Sequence, residues 1–127
     1  MIHHVAVDVP AGDLDAAVAF WALLGFDEVA PPEALRGTWR WVEHDGGQIH
    51  LRAGGAGAPV GGWHVAVVVQ DHAAAVARLQ TAGFAYEPGS EHWGVPRGKT
   101  TAPGGTTVEL MAAPPPPTGA VPEERPR

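Results

Sequence analysis

Positions 4–9 read HVAVDV, and positions 64–69 read HVAVVV. Both stretches are rich in valine at alternate positions, a pattern typical of a β-strand that buries one face. In each copy a histidine opens the face opposite the valines. A strand that recurs with its first histidine indicates an internal duplication, which would determine the whole fold.

The repeat extends beyond this strand. Positions 13–26 (DLDAAVAFWALLGF) and 71–84 (DHAAAVARLQTAGF) are identical at seven of fourteen places. Further along, IHLRA at 49–53 corresponds to VELMA at 108–112. The three matches keep the same order at offsets of 60, 58 and 59 residues. Ordered matches at nearly one offset are improbable by chance, so the chain contains two copies of one unit.

Each copy predicts a β-α-β-β-β unit. The alanine-rich segments favour helices, with Asp13 and Asp71 as N-caps and Gly25 and Gly83 at the C-terminal caps. Three short strands are predicted after each helix, with a connecting loop at 31–37 in the first unit and at 89–97 in the second. The predicted strands are FDEV (26–29), TWRWVEH (38–44) and GQIHLRA (47–53), then FAYEP (84–88), KTTA (99–102) and TTVELMA (106–112).

This pattern predicts one α+β domain over residues 1–112. Module one covers 1–54 and module two covers 63–112, with a flexible glycine-rich joint at 54–62 between them. The proline-rich tail at 113–127 is expected to be disordered.

Composition restricts the function. The net charge is −6 with eight scattered Lys and Arg residues, which argues against a nucleic-acid or anionic-membrane surface. There is no cysteine, so neither a disulfide framework nor a thiolate metal site is expected. The N-terminus lacks a signal-peptide pattern, and no apolar run is long enough to span a bilayer. These features predict a cytoplasmic protein with a small-molecule ligand.

A tandem β-α-β-β-β pair that opens with H-x-A-x-x-V…D…A…F-W…L-G-F resembles the vicinal oxygen chelate superfamily. That superfamily includes glyoxalase I, extradiol dioxygenases, methylmalonyl-CoA epimerase, fosfomycin-modifying enzymes and bleomycin-resistance proteins. The resemblance covers about residues 2–112 and implies a half-barrel mixed sheet. A homodimer is expected, because a second copy would cover apolar faces of the half-open sheet.

The pseudo-twofold symmetry that the resemblance implies places His4 and His64 at equivalent positions on the first strands. It pairs His50 with Glu109 on the last strands. These four side chains would bind one divalent metal ion, of which Fe, Zn, Ni, Co and Mn suit imidazole and carboxylate ligands. Glu109 is also the candidate catalytic base. The alternative is that these residues are polar groups of the core.

Aromatic and basic residues supply candidates for a substrate pocket. Trp39 and Trp41 share a strand face, where they would either pack in a core or dimer interface or form a cavity wall. The loop at 91–94 could bring His92 or Trp93 to the substrate. Arg40, Arg97 and Lys99 are candidates for binding an anionic group, although each could be an ordinary surface charge.

Three functions fit this reading. The first is a metal-dependent lyase, isomerase or epimerase of glyoxalase type that acts on a small oxygenated metabolite through bidentate chelation and proton transfer. The second is a drug- or metabolite-binding protein of bleomycin-resistance type without catalysis, which five tryptophans would suit. The third is an Fe(II) extradiol-type dioxygenase on the same ligands. The sequence leaves open whether one chain or two supply the metal site.

Overall fold

The chain folds into two modules of the same topology. The structure, a computed structural model, describes residues 1–55 and 62–116. The first module contains β1 (His4–Val9), α1 (Leu14–Leu23), β2 (Asp27–Val29), β3 (Trp39–His44) and β4 (Gly47–Ala53). The second contains β5 (Val65–Val68), α2 (His72–Thr81), β6 (Glu87–Pro88), β7 (Arg97–Thr101) and β8 (Thr107–Met111). Short 3₁₀ turns occur at Ala11–Asp13 and Glu33–Leu35.

Each module forms its own four-stranded mixed sheet. The strand orders are β1-β4-β3-β2 and β5-β8-β7-β6, and the first and last strands of each module pair in parallel. Within the described residues the two sheets share no strand pair, so the half-barrel is not closed. This confirms the predicted α+β fold with a duplicated unit. Positions 56–61 of the predicted joint and 117–127 of the predicted tail lie outside the described residues.

The repeated Gly-Phe pair ends both helices in the same way. Gly25 and Gly83 have φ angles of 94° and 92°, a region that glycine enters without steric penalty. The following phenylalanine nitrogens then donate back to the helix, Phe26 to Trp21 O and Phe84 to Leu79 O. The sequence predicts a glycine C-cap at both positions, and the observed hydrogen bonds are of the Schellman type. The cap directs the chain towards the second strand of each module.

The two helices begin differently, which corrects one prediction. Asp71 caps α2, since its side chain accepts a hydrogen bond from the Ala74 nitrogen at 3.1 Å. Asp13 makes no such bond, so the expectation that it caps α1 was wrong. The reason is the 3₁₀ turn before α1. It holds Asp13 at φ −103° and ψ 0°, outside the extended backbone region that capping residues prefer.

One hydrophobic core joins the modules. The inward valines of β1 and β5 pack with the apolar faces of α1 and α2. Phe20 on α1 meets Phe84 edge-on with ring centroids 5.1 Å apart. The Arg78 Nε on α2 donates to the Leu23 carbonyl at the end of α1. In the described part of the chain, no helix has the length and hydrophobicity needed to cross a bilayer.

In the second module, β6 and β7 differ most from their predicted bounds. β6 covers only Glu87–Pro88 rather than 84–88. It starts late because Phe84 completes the helix cap, and it ends at Pro88, which has no N–H with which to extend the ladder. β7 begins at Arg97, which was predicted to lie in the preceding loop, and it ends at Thr101. The second change places Arg97 on a strand beside Glu109.

Candidate functional site

His4 and His50 form the first half of the candidate site. His50 on β4 lies between Ala6 on β1 and Trp41 on β3 in the strand register. Its ring is sandwiched between two others, with centroids 3.9 Å from His4 and 3.8 Å from Trp41. His50 is only 6% exposed, whereas His4 is exposed at the strand's start. Because the His4 and His50 rings are stacked nearly in parallel, their nitrogen lone pairs do not converge on one point. Binding of one metal ion by both rings therefore requires rotation of the exposed His4 ring.

A chain of hydrogen bonds fixes the tautomer of His50. The Gln48 amide nitrogen donates to Glu43 Oε1 at 2.9 Å, which orients the amide. Gln48 Oε1 then accepts from His50 Nε2 at 2.7 Å, leaving the lone pair on Nδ1. Burial, followed by repulsion from His4 and His3, lowers the pKa of His50 to about 4. His50 is therefore neutral at pH 7, as a metal ligand has to be.

His3, an exposed residue before β1 that the sequence pattern did not name as a candidate ligand, also joins this half. The ligating atoms of His3, His4 and His50 lie within 4.8 Å of one another. His3 is indeed exposed, but its Nδ1 is 3.0 Å from His4 Nδ1. Strand alternation would place consecutive residues on opposite faces. Because β1 starts only at His4, His3 is not bound by that rule, and nothing in the pattern indicates its position.

His64 and Glu109 form the second half. His64 Nδ1 is 2.9 Å from the Gly62 carbonyl, which can only accept, so Nδ1 carries a proton and Nε2 is the ring nitrogen that faces Glu109. His64 Nε2 is 3.5 Å from Glu109 Oε1. Glu109 is 7% exposed in the centre of β8. A lone pair that faces a buried carboxylate is unfavourable unless a proton or a cation lies between them.

This geometry fits a divalent metal ion. Two ligands that each lie about 2.1 Å from a tetrahedral ion are about 3.4 Å apart. The observed separation of 3.5 Å between His64 Nε2 and Glu109 Oε1 has that magnitude. The carbonyl partner of His64 is the outer contact that typically orients a metal-bound imidazole. The donor set of imidazole and carboxylate suits Zn, Fe, Ni, Co or Mn.

The two halves lie apart within one chain. Val69, which follows β5, lines a cavity together with His44, which is at the same end of the first sheet as His4. The other end of β1 contacts the β7–β8 turn, where a methyl group on Gly104 would lie 3.4 Å from Val9 Cγ1. Because β8 begins at that turn and runs parallel to β5, the turn lies at the start of β5. β1 and β5 therefore run in opposite directions.

His4, at the start of β1, and His64, directly before β5, consequently lie at opposite ends of the two strands. The five-residue step from His64 to Val69 spans roughly 16 Å of extended chain. Among the described residues, no cluster of three or more ligating side chains combines members of both halves. Within one chain the structure brings His4 to His50 and His64 to Glu109, but it does not bring the four together.

The aromatic candidates divide between the halves. Trp41 covers one face of His50, and Trp39 lies edge-on to it with centroids 6.3 Å apart. Trp93 lies over the Arg97 guanidinium, 5.8 Å from its carbon, and Arg97 Nη1 is 3.4 Å from Glu109 Oε1. His92 is exposed in the loop before β7. The sequence pattern named Arg97, with Arg40 and Lys99, as a candidate for binding an anionic group, with an ordinary surface charge as the alternative.

The comparisons with known proteins define the family. The model for the Glyoxalase/Bleomycin resistance protein/Dioxygenase superfamily matches residues 1–110. The chain therefore belongs to that superfamily, and the resemblance stated from the sequence is confirmed. A comparison with curated proteins gives no match.

Solved structures share the fold. A glyoxalase family protein from Bacillus anthracis is 26% identical with a TM-score of 0.77, over 87% of this chain and 93% of that one. The fosfomycin resistance protein FosX from Listeria monocytogenes, solved with Mn(II) and 1S,2S-dihydroxypropylphosphonic acid, is 16% identical with a TM-score of 0.72, over 90% of each chain. A bleomycin resistance determinant from transposon Tn5 is 20% identical with a TM-score of 0.60, over 84% and 94%.

Proposed function

We propose that this chain is a metal-dependent lyase, isomerase or epimerase of glyoxalase type that acts on a small oxygenated metabolite as a homodimer. One divalent ion would be held by His4 and His50 of one chain together with His64 and Glu109 of a second. The observation that carries this proposal is the second half of the site. There, a tautomer-fixed imidazole faces a buried carboxylate at 3.5 Å, a geometry that a cation would stabilise.

The separation of the two halves supports a shared site. The second half contains only two ligands, His64 and Glu109, which is too few for a tight site with open substrate positions. A second copy supplies the missing pair, and a twofold dimer would complete two identical sites at once. This arrangement uses all four predicted ligands, whereas an isolated chain leaves them in two incomplete pairs.

The chain's own residues suit proton transfer at such a site. A bound divalent ion would supply Lewis-acid polarisation of two neighbouring substrate oxygens. Glu109 would then take a proton from the adjacent carbon and return it, since it is buried and has a second oxygen besides Oε1. Trp39 and Trp41 would exclude water from the His50 side.

The first test measures bound metal. We expect untagged protein, purified without chelators, to contain about one divalent ion per chain by elemental mass spectrometry, and Glu109→Ala and His64→Ala to lose most of it. Glu33→Ala, at an exposed carboxylate of a 3₁₀ turn, is the matched control and should retain metal. Wild-type protein that takes up none of Fe²⁺, Zn²⁺, Ni²⁺, Co²⁺ or Mn²⁺ would contradict the proposal.

A second candidate is a ligand-binding protein without catalysis. It is favoured by the aromatic surface around His50, where Trp41 stacks in parallel and Trp39 adds an edge. Flat rings of this kind bind planar or cationic drugs through stacking and cation–π contacts. Binding of a planar cationic drug that survives Glu109→Ala would favour this candidate, since the carboxylate would then have no part in it.

A further inference from the structure

Arg97 is held against the second half of the candidate site by contacts on three sides. Its Nη1 lies 3.4 Å from Glu109 Oε1, and the Trp93 ring covers the guanidinium. On a third side, a methyl group on Gly89 would lie only 3.2 Å from Nη1, so glycine leaves the room that this side chain occupies. Its side chain is 17% exposed. The guanidinium is thus positioned rather than free in solvent.

The guanidinium nevertheless has unused hydrogen-bonding capacity. Among the described residues, its buried Nε has no hydrogen-bond partner. Arg40, by contrast, uses both Nε and Nη2 on Glu28 and pairs with Asp15 as well. A planar fork of five N–H donors that is largely buried is stable only where an acceptor satisfies it. Arg97 therefore keeps an N–H donor that no acceptor among the described residues satisfies.

We propose that Arg97 binds the anionic group, a carboxylate or phosphonate, of the substrate whose oxygens chelate the metal. This inference rests on the proposed function and specifies its substrate class as a small oxygenated acid. Arg97 Nη1 is 3.4 Å from Glu109 Oε1, and an ion bound to that oxygen would be about 2.1 Å from it. The guanidinium therefore lies at most about 5.5 Å from the ion, within reach of an acid group next to the chelating oxygens.

β7, the strand that contains Arg97, contributes a second positive charge. Lys99 lies on the same face of β7, directly opposite Glu109 in the register, and it is exposed. In a chain with a net charge of −6, two cations beside one carboxylate form a local site that attracts anions. A guanidinium recognises carboxylate and phosphonate oxygens through paired hydrogen bonds, which gives orientation as well as affinity.

The competing explanation is that Arg97 only neutralises Glu109. In that case its removal would affect charged and uncharged ligands alike, because they share the same metal. An anion-binding role affects only the charged ones. The two explanations therefore differ in how one substitution acts on two ligands that have the same chelating oxygens.

The test uses the Co²⁺-loaded full-length protein and follows ligand binding by the visible absorption of the ion. The probes are glycerate, its uncharged amide, and 1,2-dihydroxypropylphosphonate, which share a vicinal diol. We expect Arg97→Gln to weaken binding of one or both acids at least tenfold while the amide changes less than twofold. The acid that suffers the larger loss identifies the preferred anion. Arg97→Lys should fall between the wild type and Arg97→Gln, because charge is retained and the fork is lost.

Arg36→Gln, at an exposed loop arginine that bonds the Pro31 carbonyl, is the matched control and should leave all affinities unchanged. Arg97→Gln should keep its Co²⁺, since a like charge near the ion is removed. Equal losses for acid and amide, or no loss in a metal-loaded Arg97→Gln protein, would overturn the role of Arg97 alone. Wild-type protein that takes up no Co²⁺ would instead overturn the metal site, and this inference with it.

Discussion

At the scale of single residues, His50 and His64 each contact a hydrogen-bond acceptor that fixes a proton on one ring nitrogen. The Gly62 carbonyl does this for His64, and Gln48, oriented by Glu43, does it for His50. The duplication predicts four candidate ligands, but it does not predict these two acceptors. A glutamine two residues from a histidine is common, and the sequence does not show whether its side chain reaches the imidazole. Here the conformation of the Gln48 side chain brings Oε1 to the His50 ring.

The contact from Gln48 makes a testable prediction. Gln48→Leu removes the acceptor for His50 Nε2, so the ring loses its fixed tautomer and a buried donor is left unsatisfied. We expect metal affinity to fall roughly 10- to 100-fold, the range found when outer partners of metal-bound histidines are removed. Competition with a metal indicator would measure it. Gln80→Leu on the exposed face of α2 is the control. Equal affinities in the two variants would show that Gln48 does not orient a ligand.

At the scale of elements, the two copies of the unit have diverged at the helix start and remained alike at the helix end. The glycine and phenylalanine at each end are identical in sequence and make the same hydrogen bonds. An aspartate also precedes both helices, yet only Asp71 caps its helix and Asp13 does not. Sequence identity predicted the helices correctly but not this difference, because the backbone at Asp13 is set by the preceding 3₁₀ turn.

This difference predicts unequal effects of the same substitution. Asp71→Ala removes the hydrogen bond to the Ala74 nitrogen and should lower the free energy of unfolding by about 1 kcal/mol. Asp13→Ala removes no capping bond and should lower it by less than about 0.5 kcal/mol. Urea denaturation of the two variants measures both values. A larger loss for Asp13→Ala would mean that its side chain stabilises α1 in a way the structure does not contain.

At the scale of the whole molecule, the opposite directions of β1 and β5 determine which candidate ligands can lie close together. The duplication predicts that His4 and His64 are equivalent, and in the structure His4 is the first residue of β1 and His64 directly precedes β5. Equivalence does not fix proximity, however. Whether equivalent residues lie together depends on how the modules pack, which is set by the shared core of α1 and α2 rather than by any motif.

The central claim is that the site is assembled from two chains, and a mixing experiment tests it most directly. One variant carries His4→Ala with His50→Ala, and the other carries His64→Ala with Glu109→Ala. Neither should bind metal alone. If they exchange subunits, half of the dimers are mixed and each mixed dimer contains one intact site, so we predict about one quarter of an ion per chain. A mixture in which subunit exchange is demonstrated but no metal is bound would contradict a shared site.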